Sequence, residues 1–208
     1  MPRRIVPPPP IKILFIGGTG RCGTTWTRRV IAAHRDVFDV PVECNMRDHL
    51  ISGYIERAKA DGYRWMAEKS PSNALCAREI LRRYKDSRYL HVSRERSAVI
   101  ASTMRAGRYD LPRIYASVGG GRPYTEAEAA AYVDWIEAVG SAVVAEHPDR
   151  AMHVMVEELC LPTIWRWLGL DPRHYSKDAI EGAPRNSTRP GGPAEAEPPG
   201  LVNPRYSV

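Results

Sequence analysis

The apolar positions of this chain fall into short solid runs, separated by longer stretches in which they recur every three or four residues. The run at 11–16 (Ile-Lys-Ile-Leu-Phe-Ile) is β-branched and aromatic and ends on Gly17-Gly18, which predicts a buried strand. Helical spacing follows at 24–33, with Trp26, Val30 and Ile31 as the positions that should face the core. Further strands are predicted at 37–42, 63–67, 88–92 and 153–156. Helices are predicted at 72–84, 97–104 and 162–168, the last stopped by Gly169. Thr125 with Glu128 three residues on makes a capping box for a helix reaching about residue 145. Alternation of strand and helix predicts an α/β fold with a mainly parallel central sheet covered on both faces. Ligands of such sheets sit beyond the carboxyl ends of the strands, so the loops there should carry the chemistry.

Composition trims the ends and narrows the class. Pro7 to Pro10 are predicted to form a short polyproline spacer, and the stretch 182–208 is too rich in Pro and Gly for a helix or a central strand to be expected. One folded domain is therefore expected over 11–181, between an N-terminal tail (1–10) and a C-terminal tail (182–208). No apolar run approaches the roughly 20 residues of a membrane helix, and the N-terminus lacks the apolar core of a signal peptide. Cys22, Cys44, Cys76 and Cys160 make no CxxC pair, which argues against a cysteine zinc site and a disulfide framework. A reducing, cytoplasmic setting is the default. The 30 basic against 24 acidic residues leave a charge of +6, and 25 of the 30 are Arg. Arg suits phosphate and sulfate oxygens, although an Arg-rich codon usage accounts for the count equally well.

The loop after the first predicted strand reads Gly17-Gly18-Thr19-Gly20-Arg21-Cys22-Gly23-Thr24-Thr25. Gly18 and Gly23 have P-loop spacing, in the required strand–loop–helix context, but Thr24 stands where the P-loop Lys belongs. Such a loop wraps a phosphate with backbone N–H groups at a helix N-terminus. Without the Lys it lacks the usual support for the β- and γ-phosphates of a nucleoside triphosphate.

Gly20-Arg21-Cys22-Gly23-Thr24-Thr25-Trp26 resembles the 5′-phosphosulfate loop of sulfotransferases that use 3′-phosphoadenylyl sulfate (PAPS), whose usual form is [KR]SGTTW. Arg94 at a strand end, with Ser102 eight residues on in the next helix, is similar to that family's 3′-phosphate site. Weaker likenesses follow to its carbohydrate and tyrosylprotein branches. They comprise His34-Arg35-Asp36-Val37, Glu43 near the position of the glutamate base, Glu68-Lys69-Ser70-Pro71, and Val156-Glu157-Glu158-Leu159 ahead of Leu168-Gly169-Leu170. The resemblance spans about 11–170 and implies a P-loop-containing three-layer α/β/α fold. It implies Glu43 as general base, Arg21 and Lys69 as cations for the sulfuryl oxygens, and Thr24 and Thr25 as donors to the 5′-phosphate. Trp26 would lie near the adenine or in the core. PAPS would be the donor and adenosine 3′,5′-bisphosphate (PAP) the product, with a hydroxyl or amine of a small molecule or glycan as acceptor and no metal. Three departures stand out. Cys22 replaces the usual Ser, the histidine base of the cytosolic branch is missing, and no Arg-Lys-Gly segment completes the 3′-phosphate site, for which Arg185 and Arg189 are stand-ins. The acceptor pocket is expected from 44–63 and 104–124.

Rival readings remain. Cys22 and Arg28 have the CxxxxxR spacing of a cysteine phosphatase, although a helix starting at Gly23 or Thr24 would place Arg28 inside it. A P-loop nucleotide or small-molecule kinase lacks its Lys. A nucleic-acid-binding module lacks any motif beyond scattered arginines. A nucleotide binder without transferase activity completes the set.

Overall fold

The computed structural model describes residues 10–106 and 125–183. Pro7 to Pro9 of the predicted polyproline spacer, most of the 104–124 acceptor region, Arg185 and Arg189 lie outside the described residues.

Five strands form one sheet: β1 (Lys12–Gly18), β2 (Val37–Asp39), β3 (Trp65–Lys69), β4 (Arg88–Ser93) and β5 (Ala151–Met155). Their order is β2-β3-β1-β4-β5, and every pairing is parallel. The helices are α1 (Thr24–Ile31), α2 (Asp48–Ala60), α3 (Asn73–Arg83), α4 (Arg96–Ala106), α5 (Glu126–Glu146), α6 (Leu161–Trp167) and α7 (Lys177–Glu181). A parallel sheet needs a crossover between its strands, and the helices supplying the crossovers bury both sheet faces. Alternation along β1 divides the core accordingly. Leu14 and Ile16 enter one apolar cluster with Ile31, Val99, Val133 and Trp165, while Ile13 and Phe15 enter another with Ile51, Ile80 and Leu81. None of the described helices is long and apolar enough to cross a membrane.

The elements depart from the sequence pattern in several ways: β3 is displaced two residues beyond the predicted 63–67, and α7 has no counterpart in the pattern. α2 is absent from the pattern because no side chain caps its start, Gly53 interrupts it, and its buried residues reduce to Leu50, Ile51, Tyr54 and Ala58. β2 stops at Asp39, three residues short of the apolar run. β5 begins two residues earlier than 153, and Val156–Glu158 is a 3₁₀ turn. Trp26 is half-buried, whereas Val30 and Ile31 are fully enclosed. The capping box of α5 forms as its sequence dictates: Thr125 Oγ1 accepts from the Glu128 N–H at 3.2 Å, and the Glu128 carboxylate accepts from the Thr125 N–H at 2.8 Å.

Candidate active site

All five strands point the same way, so their carboxyl ends lie along one edge of the sheet. The chain runs from β1 outward to β2 and β3, then crosses to β4 on the other side of β1. That reversal opens a crevice beyond β1, flanked by the loops that follow β3 and β4.

The loop 19–23 fills the mouth of this crevice. A Cβ at Gly18 would lie 2.1 Å from the Val92 carbonyl oxygen, so β4 admits only glycine there. Gly23 sits at φ 95° as the N-cap of α1 and offers no side chain to the first-turn N–H groups. That helix N-terminus carries no side-chain cap and presents its positive dipole end, the setting in which helices bind anions. Arg21 is held at φ 73°, a left-handed conformation that costs a residue with a Cβ roughly 1–2 kcal/mol. Its Nε donates to Ser102 Oγ of α4 at 3.3 Å, and Ser102 is 6% exposed.

On the β3 side, the structure brings Lys69 and Glu43 together. Lys69 ends the strand nearly buried, and its Nζ forms an ion pair with the half-exposed Glu43. The segment carrying Glu43 is held by the neighbouring Glu68, a carboxyl group with no exposed surface. Glu68 accepts from the Cys44 N–H at 2.9 Å, from Ser70 Oγ at 2.5 Å and from Asn73 Nδ2 at 2.6 Å. Asn73 also donates to the Ile16 carbonyl of β1 at 3.1 Å. One buried carboxyl therefore ties β1, the start of α3 and the Glu43 segment to β3. Burial outweighs these hydrogen bonds and raises the Glu68 pKa. Asn45 and Met46, next along that segment, take φ values of 47° and 59°. Among the described residues, the non-glycine positions with positive φ are Arg21, Asn45 and Met46, all in the loops that flank the crevice.

On the β4 side, Arg94 follows the strand, and Glu95 caps α4 by accepting from the N–H groups of Ser97 at 2.9 Å and Ala98 at 2.7 Å. Arg94 Nε lies 3.4 Å from Glu157 Oε1, whereas Ser102 is bonded to Arg21. Any phosphate at Arg94 thus competes with a carboxylate.

No protein-family model matches this chain, and no curated protein matches it in sequence. Solved structures do. A sulfotransferase domain from the curacin biosynthetic pathway matches with a TM-score of 0.57 at 18% identity, over 89% of this chain and 82% of that one. A sulfotransferase domain from the Synechococcus PCC 7002 olefin synthase matches with a TM-score of 0.53 at 19% identity, over 82% and 76%. The fold is that of these sulfotransferase domains.

Within this fold the phosphatase reading fails on geometry. Burial pushes the Cys22 thiol up to about 12, so no thiolate nucleophile is available near neutral pH. Arg28 is 2% exposed inside α1, and its Nε lies 2.6 Å from Asp39 Oδ1. Two of the remaining histidines are structural in position. His34 Nε2 donates to the Asp171 carbonyl at 2.9 Å while its Nδ1 accepts from the Asp36 N–H at 3.1 Å, and His91 is buried in β4. Sequence reasoning met Glu68 only within the Glu68-Lys69-Ser70-Pro71 likeness, without a role, and passed over Asn73. A Glu and an Asn in positions otherwise taken by core residues were the available signal, since buried polar groups of this kind are retained with partners.

Proposed function

We propose that this chain is a PAPS-dependent sulfotransferase that moves a sulfuryl group to a hydroxyl, or to an amine, of a small molecule or glycan. The observation that carries this reading is the convergence of four features on one crevice: the uncapped α1 N-terminus, the strained Arg21 loop, Ser102 on one side, and the Lys69–Glu43 pair on the other. The likeness to two sulfotransferase domains supports it.

In this reading the N–H groups of Gly23, Thr24 and Thr25, with both threonine hydroxyls, hold the 5′-phosphate, and Gly20 and Cys22 complete the loop. Arg94 and Ser102 take the 3′-phosphate, which requires Arg94 to exchange Glu157 for the nucleotide. Trp26, half-exposed on α1, borders the nucleotide side. Glu43 accepts the proton of the acceptor hydroxyl as the acceptor oxygen forms its bond to sulfur. The bond from sulfur to the phosphate oxygen breaks in line, and PAP leaves with that oxygen. Lys69 and Arg21 stabilise the negative charge spread over the sulfuryl and bridging oxygens. The Lys69–Glu43 pair holds the base in place until the acceptor enters, and then frees the ammonium for the sulfuryl group.

Calorimetric titration tests the nucleotide assignment. A charged hydrogen-bonded contact is worth about 1.5–3 kcal/mol, so PAP should bind roughly 10–100-fold more tightly than ADP or ATP. Arg94→Ala should abolish that preference. Equal affinities for PAP and ATP would defeat the assignment and leave a kinase or a general nucleotide binder. With an accepted substrate, Glu43→Gln should lower turnover by about 10²–10⁴-fold at unchanged PAP affinity; unimpaired turnover would remove Glu43 from the chemistry.

A further inference from the structure

Outside the crevice, three metal-ligating side chains converge on the β4–β5 pair. His91 and His153 stand directly opposite each other in the parallel register, with ring centroids 5.3 Å apart. Glu137, from the middle of α5, places its Oε2 3.1 Å from His91 Nε2. One ligand-type atom from each of the three lies within 4.8 Å of the other two. Tetrahedral zinc with bonds of about 2.0–2.2 Å holds its donors roughly 3.3 Å apart. The His91–Glu137 pair already has that separation, and a small rotation of the exposed His153 closes the rest.

The surroundings fit ligation as well as the three donors do. Tyr89 Oη is 3.0 Å from His91 Nδ1, which engages the outer nitrogen and directs Nε2 at Glu137. Ser93 Oγ is 2.5 Å from His153 Nε2 and orients the second ring. Metal-binding imidazoles characteristically carry such outer partners. Room for the His91 ring comes from Gly140, in the interior of the 21-residue α5, where a Cβ would lie 2.1 Å from the ring.

We propose that His91, Glu137 and His153 form a binding site for a zinc-class divalent cation between α5 and the β4–β5 pair. Two imidazoles and a carboxylate are the borderline nitrogen and oxygen donors that zinc accepts, and the exposed side at His153 leaves a position for water. Ligation through His91 Nε2 needs that ring's N–H on Nδ1, where Tyr89 Oη can accept it. The site shares no ligand with the proposed sulfuryl-transfer crevice, and its test does not depend on that activity.

The test uses the full chain, stripped with a chelator and titrated with Zn²⁺ by calorimetry in parallel with Glu137→Gln and His153→Ala. Both substitutions are at positions with solvent access, where folding tolerates them. Wild type should bind one Zn²⁺ per chain and melt at a higher temperature when loaded. Each variant should lose at least about tenfold in affinity, the smaller end of what removing even an outer partner costs. Co²⁺ in place of Zn²⁺ should give visible ligand-field bands without a thiolate charge-transfer band, which separates this site from binding at the exposed Cys160. No binding, a thiolate band, or equal affinity in wild type and both variants would overturn the proposal and leave a hydrogen-bonded His–Glu pair.

Discussion

Glu68 lies fully buried on the central part of the sheet, yet three donors from three different segments meet on its carboxyl group. Removing the acceptor strands donors that cost about 1–3 kcal/mol each when unpaired, so Glu68→Ala should destabilise the fold by roughly 3 kcal/mol or more in urea unfolding. The pH dependence has a definite sign. The folded pKa of Glu68 lies above the ordinary 4.5, so between those two values the native state binds the extra proton. Stability from this group is complete below pH 4.5 and is lost as pH rises through the folded pKa. Relative to Glu68→Gln, which does not titrate, the wild type should be most stable in acid and lose that advantage toward neutral pH. A wild-type advantage that grows with pH would mean that the hydrogen bonds to the carboxylate outweigh its burial.

At the scale of elements, α5 shows local preference giving way to packing. Its N-terminus follows its sequence: Thr125 and Glu128 satisfy each other's backbone donors. Its middle does not, because Gly140 weakens an interior helical position by roughly 0.5–1 kcal/mol relative to Ala. Gly140→Ala should therefore stabilise an isolated helix. In this protein the added methyl would meet the His91 ring at 2.1 Å, so the substitution should destabilise by about 1–3 kcal/mol. Chemical denaturation measures the difference, and a gain in stability would show that His91 can be displaced at little cost. α2 illustrates the reverse case. Its local signals are weak, and it is held by burying Leu50, Ile51, Tyr54 and Ala58.

Across the whole molecule, the C-terminal segment is fastened to the first helix by a few polar contacts. Trp165 Nε1 donates to the Ile31 carbonyl at 3.0 Å, and His34, 1% exposed, bridges the Asp36 N–H and the Asp171 carbonyl. Ser176 adds a backbone bond to the Ala33 carbonyl at 2.9 Å. His34→Ala would leave a buried donor and acceptor without partners and should cost about 1–3 kcal/mol. The loss should be concentrated in faster amide exchange over 171–183, with the β1–β4 amides little changed. Uniform acceleration across the sheet would mean that the closing segment folds as one unit with it.

The α/β class and most strands were legible because buried parallel strands are short segments dense in β-branched, aromatic and aliphatic residues, as 11–16 shows most clearly. The strand–glycine loop–helix turn was legible for a related reason: Gly18 and Gly23 answer local backbone demands, so sequence spacing alone marks it. Strand order and parallel direction were decided only by the tertiary structure, because nothing local in β2 or β3 states which neighbour it will pair with. The same holds wherever residues distant in sequence must meet. Glu43 with Lys69, Arg21 with Ser102 and Arg94 with Glu157 are 26, 81 and 63 positions apart. His91, Glu137 and His153 carry no motif and become a cluster only because β4 and β5 run parallel in register beneath α5. Local pattern reflects the interactions a residue makes along its own element; a site assembled from side chains of several elements is set by how those elements pack.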